Sequence, residues 1–104
     1  MAGRIEKLEE LLASTPHDNT LRYMLAMECD RLEETERALT LFCELMEQVS
    51  PYVPAFVMAG QLLVRLGRLD RARAIFQAGI KAANLQHQNH AAGEMKEFLR
   101  RLTN

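Results

Sequence analysis

Several things are missing from this 104-residue chain. No apolar run comes near the roughly 20 residues that a membrane-spanning helix needs, so no span of that kind is expected. The opening Met-Ala-Gly-Arg leads straight into a charged pattern, without the apolar stretch of a secretory signal. Glycine stands third rather than second, so the N-myristoylation pattern is not met either. No segment alternates apolar and polar residues with a period of two, and strands are therefore not expected. No nucleophile sits on a glycine-rich elbow, and no phosphate-binding loop or metal-ligand signature occurs. Catalysis is accordingly not expected, nor a cofactor. There are only two cysteines, Cys29 and Cys43, each inside an apolar helical run. Two buried, reduced thiols acting as small hydrophobes are the expectation, and the cytoplasm is the compartment that fits them.

Charge of one sign is also lacking, since the net charge is −1. The distribution is uneven, however. Residues 1–50 hold five basic and eleven acidic side chains, net −6, and residues 51–104 hold eight and three, net +5. Arg65, Arg68, Arg71 and Arg73 form the densest basic cluster. No aromatic platform accompanies them and the chain is slightly acidic overall, so a nucleic-acid partner is not expected. The asymmetry between halves points instead to association of one copy with another.

What the chain does have is helical periodicity throughout. Ile5, Leu8, Leu11 and Leu12 share one face of a helix over residues 3–14, which Pro16 ends by restricting the residue before it. Asp18 or Asn19 can cap a second helix over 19–32, with Leu21, Leu25, Ala26, Cys29 and Leu32 apolar. A third run over 35–49 carries Ala38, Leu41, Phe42, Leu45, Met46 and Val49, with Thr35 as its candidate cap. Ser50-Pro51 stops the chain, and Pro54 suits the first turn of a fourth helix, where a missing N–H costs nothing. That helix and a fifth meet at Leu66-Gly67-Arg68, with Asp70 in the first turn of the fifth and Asn84 as its candidate left-handed terminus. Gly60 and Ala72 are the expected contact points of this pair, because helices packed roughly 8–10 Å apart leave no room for a long side chain at the crossing. LQHQNH reads as a loop or first turn, and a last helix runs from Ala91 to Leu102.

Self-comparison shows a shared period of 34. Ala26 and Gly60, Ala38 and Ala72, Phe42 and Phe76, and Leu32 and Leu66 are each that far apart. With Gly60, the turn at Gly67, and Ala72-x3-Phe76-x2-Gly79, the second copy resembles a tetratricopeptide repeat, a helix–turn–helix unit of period 34. The first copy departs from the pattern at Arg22, Glu33 and Leu45. The resemblance implies an all-α fold: a short right-handed solenoid of about six antiparallel helices in one domain, 1–104. Residues 3–14 would cap it at the front, 19–50 and 53–84 would form two repeats, and 88–102 would cap it at the rear.

The resemblance further implies a concave groove lined by the first helix of each unit. Its lining would include Tyr23, Met27 and Arg31 from the first unit, Val57, Gln61, Val64 and Arg65 from the second, and Met95 from the last helix. Family members that clamp a peptide's terminal carboxylate use paired Lys, Asn and Arg; the matching positions here are Tyr23, Met27, Met58, Gln88 and Ala92, which argues against such a clamp. The expected function is non-enzymatic binding of a peptide or protein segment in the groove. The alternative is self-association through the acidic and basic halves. His87, His90 and Glu94 could share a helical face, but His90 falls where the family places a packed aromatic, and no metal is expected.

Overall fold

The computed structural model describes residues 3–102, so expectations concerning Met1 and Ala2 lie outside the described residues. Six helices and no strand are present among them: α1 Arg4–Ser14, α2 Asn19–Arg31, α3 Thr35–Met46, α4 Val53–Arg65, α5 Leu69–Leu85 and α6 Asn89–Leu102. The helices fall into two compact units, Met1–Val49 and Ser50–Asn104.

In the first unit α2 packs against both α1 and α3. Ala26, Cys29, Ala38, Phe42 and Leu45 are wholly buried, joined by Ile5, Leu8, Leu25 and Leu39. These are the positions at helical spacing, which places one apolar stripe of each helix inward. The Asp18 carboxylate accepts a 3.0 Å hydrogen bond from the Leu21 N–H and so caps α2. Asn19 and Gln48 exchange amide hydrogen bonds of 2.9 and 2.8 Å, tying the start of α2 to the chain just past α3. Several expectations fail here: Leu11 and Leu32, expected on the apolar faces, are about half exposed, Leu32 lying just past the end of α2. Thr35 is the first residue of α3 rather than its cap; Glu34 takes the cap position and makes no side-chain cap bond. Val49 lies beyond the helix, which ends at Met46, and is fully exposed rather than part of the apolar stripe.

In the second unit α5 lies against both α4 and α6. Gly60 and Gly79 let it do so. A Cβ on Gly60 would overlap Cε1 and Cζ of Phe76 and stand 2.7 Å from its Cδ1. A Cβ on Gly79 would stand 2.5 Å from the Met95 sulfur and 2.6 Å from Phe56 Cβ. One glycine thus admits an α5 ring to α4, and the other admits side chains of α4 and α6 to α5. Ala72 is wholly buried, as a contact point requires. The Phe76 ring stacks on Phe98 at 5.3 Å. Pro54 lies in the first turn of α4, and the Gln86 side-chain amide donates to the Pro51 carbonyl at 2.8 Å, holding the end of α5 beside the start of α4.

Three turns join paired helices, and all three have one hydrogen-bond pattern. The N–H groups of Glu34, Arg68 and Gln88 reach back to the carbonyls of Cys29, Leu63 and Ala83, and those of Glu33, Gly67 and His87 to Asp30, Val64 and Asn84. The closing residue is left-handed each time: Glu33 at φ 62°, Gly67 at φ 74° and His87 at φ 57°. This is the helix-ending motif that satisfies otherwise orphaned carbonyls. Asn84 is therefore not the left-handed terminus that its residue type suggests. Gly79, Ala82 and Ala83 continue the buried stripe one turn further, so α5 runs on to Leu85 and His87 takes the strained position.

Candidate binding surface

The expected groove residues divide by depth. On α2, Tyr23 is half-buried with its ring 6.2 Å from that of Phe42, Met27 is 39 % exposed, and Arg31 is exposed. On α4, Gln61 and Val64 are half-buried and Arg65 is exposed. Val57 and Met95 do not line a surface. Val57 is buried, and Met95 is 0 % exposed with its sulfur in the space left by Gly79. Period counting put Met95 on the open side of its helix; the glycine opposite draws it inward.

In the first unit Met27 and Arg31 join Arg4, Met24 and Glu28 around a depression of about 380 Å³. Glu28 is the buried charge of this unit, its side chain only 8 % exposed. Its carboxylate accepts from the Arg31 guanidinium and lies 3.5 Å from Arg4 Nε. The hydrogen bond from Arg31, helped by the charges of Arg31 and Arg4, holds the Glu28 carboxyl below the usual carboxylate range against the cost of burial. In the same unit burial pushes the Cys29 thiol up, so this cysteine is a packed hydrophobe rather than a nucleophile.

In the second unit Gln61, Val64 and Arg65 join Phe76, Phe98, Arg101 and Leu102 around a cavity of about 350 Å³. Its walls come from α4, α5 and α6. The Arg101 guanidinium lies 5.9 Å from the Phe98 ring centroid, a cation–π approach at the mouth of the cavity. Phe98, Arg101 and Leu102 were not among the expected site residues. The signal that locates them is helix register: α4 begins 34 residues after α2, but α6 begins 36 after α4, because α5 has 17 residues where α3 has 12. A fixed period of 34 therefore misplaces every α6 residue by two. His87, His90 and Glu94 form no metal-binding group; among the described residues no cluster of three potential ligands occurs.

No described helix is long and apolar enough to cross a membrane. Antiparallel helix pairs joined by tight turns, with mixed apolar and cationic faces on α2 and α4, are those of a helical-repeat interaction module. Solved structures give the family. A tetratricopeptide repeat domain protein from Salinibacter ruber, determined in solution, superposes with a TM-score of 0.78 at 32 % identity, over 84 % of this chain and 88 % of that one. A crystal structure of a tetratricopeptide repeat domain protein from the same organism gives 0.75 at 31 % identity, over 84 % and 97 %. A protein from Bordetella parapertussis gives 0.81 at 27 % identity, over 99 % and 90 %. The chain belongs to the tetratricopeptide repeat family. No family model matches it, and no curated protein does.

Proposed function

We propose that this protein is a non-enzymatic adaptor of the reducing cytoplasm that binds a peptide or protein segment on the exposed faces of its first helices. Tyr23, Met27 and Arg31 are the contact residues on α2, and Gln61, Val64 and Arg65 those on α4. Val57 and Met95 are buried in the core of the second unit and make no contact with the segment. The observation that carries this reading is the α4–α5–α6 cavity, whose apolar floor and polar rim are what a side-chain anchor and its flanking backbone require. Selection of a random displayed peptide library on the immobilised chain tests it. Enriched peptides should lose affinity for Gln61→Ala while the melting curve of that variant stays at the parent value. Enrichment of nothing above a bare-support control would refute the reading.

A second reading rests on the charge split. The boundary between net −6 and net +5 coincides with the boundary between the two compact units. Under this reading the acidic unit of one copy meets the basic unit of another, and charge reversal at Arg71 and Arg73 should dissociate the assembly. Sedimentation over a range of concentrations at two salt levels decides it. An oligomer that falls apart as salt screens the charges supports self-association, and a monomer throughout removes it.

A further inference from the structure

Gly60, Gly79 and Gly93 lie inside the helices of the second unit, and two of them are filled. The Phe76 ring occupies the space over Gly60, and the Met95 sulfur and Phe56 Cβ that over Gly79. Gly93 has nothing within 4 Å of where its Cβ would stand. A glycine disfavours a helix interior, and close packing offsets that at the first two positions. Among the described residues nothing offsets it at Gly93. This glycine belongs to a stripe of α6 in which His90, Glu94, Glu97, Phe98 and Arg101 follow the i, i+3, i+4 spacing of a face that meets another helix. The stripe borders an open depression of about 550 Å³, and every residue lining it belongs to α6. No other described element covers it.

The charges of α6 are ordered along its length, with Glu94 and Glu97 before Arg100 and Arg101. Glu97 accepts from Arg100 at 3.0 and 2.5 Å and reaches Arg101 only through Nε, at 3.6 Å. Glu94 is exposed and has no cationic partner among the described residues. One carboxylate therefore serves two guanidinium groups, and the other serves none. An order of acids followed by arginines is complementary to itself run in reverse, so an antiparallel copy of α6 matches it. Two-fold symmetry then forms each pair twice. The Arg101 side chain is 65 % exposed and can reach across such a contact. With Glu94 opposite Arg101 of the copy, Gly93 lies beside the copy's last turn of α6 and leaves room for the two backbones to approach.

From this face we infer that two copies of the chain associate through α6, antiparallel about a two-fold axis, with Glu94 of each copy against Arg101 of the other. The contact lies wholly in the second unit and depends on neither reading above. A helix of 14 residues is about 21 Å long, so one helix pair falls at the low end of specific interfaces. A weak dimer, dissociating at about 10 µM to 1 mM, is expected. Sedimentation equilibrium of the full chain reads it. Glu94→Arg and Arg101→Glu should each lower the association constant by about tenfold or more, because each sets like charges opposite one another twice. An equimolar mixture of these two variants should recover the dimer, since both pairs are then of opposite sign. Gly93→Leu should weaken association by about tenfold as well, by holding the backbones apart. All three positions are exposed, and melting curves establish that the variants fold. Glu94→Arg also separates this contact from the association of acidic and basic units, which it would strengthen by making the second unit more basic. A parent chain that stays monomeric to about 1 mM would overturn the inference. So would single variants that associate within about twofold of the parent, or a mixture of the two that stays monomeric.

Discussion

Replacing Gly60 by alanine adds one methyl group in the middle of α4, and two opposing effects follow from it. In a helix interior alanine is favoured over glycine by about 1 kcal/mol, because glycine loses more backbone freedom on folding. Against this, the new methyl would overlap the edge of the Phe76 ring. That ring cannot turn aside, for it is wholly buried and stacked on Phe98 at 5.3 Å. Overpacking of a closed core costs about 1–3 kcal/mol, so the balance is a net destabilisation of about 1 kcal/mol or somewhat more. Gly93 supplies the internal control. It too lies inside a helix, α6, but nothing is within 4 Å of where its Cβ would be. Gly93→Ala should therefore stabilise by about 0.5–1 kcal/mol. Thermal and urea unfolding of both variants reads the difference, with each kcal/mol moving Tm by about 4–8 °C in a chain of this size. If both substitutions shift stability in the same direction, close approach at Gly60 does not organise the α4–α5 contact and the reasoning fails.

Other predictions follow from the turns and the buried acid. Glu33 and His87 hold left-handed backbone that costs a non-glycine residue about 1–2 kcal/mol, partly offset by the entropy glycine loses on folding. Glu33→Gly and His87→Gly should thus each raise stability by about 0.5–1 kcal/mol, and urea midpoints that fall instead would show that these side chains contribute contacts outweighing the strain. The Glu28 carboxyl is held below its unfolded value, so its stabilisation is fully present above the ordinary glutamate range near pH 4.3 and is lost as pH falls through the lower folded value. The stability difference between the parent and Glu28→Gln should accordingly shrink as pH is lowered from about 5 to 3; a difference that does not change with pH would mean that the Arg31 and Arg4 contacts contribute nothing through the charge of Glu28.

Much of the architecture was legible in the residues alone. Pro16, Pro51 and Gly67 interrupt the helical pattern where the chain turns, and Asp18 caps the helix it was expected to cap. Small residues at Gly60 and Ala72 mark a close helix crossing, because steric room is a property of the side chain itself. The period of 34 relates α2–α3 to α4–α5, and with it the family pattern. These features are local, or they repeat at a fixed interval, and a linear reading recovers both kinds.

The candidate site was legible only in part, and the losses share one cause. Spacing along the chain assigns a residue to a helical face, but the neighbours packed against the helix decide which face is inside. Met95 is drawn into the gap at Gly79, Val57 is covered, and Val49 is left outside once α3 ends at Met46. One further turn of α5, kept helical by the buried Ala82 and Ala83, moves the left-handed residue from Asn84 to His87 and shifts α6 by two positions from the period. That shift places Arg101 and Phe98 around one cavity with Arg65 and Phe76. Helix content, turns and repeat were thus determined by the sequence itself. The cavity and its paired arginines were decided by tertiary packing, because they depend on where α5 stops, and burial against α4 and α6 sets that point rather than helix propensity.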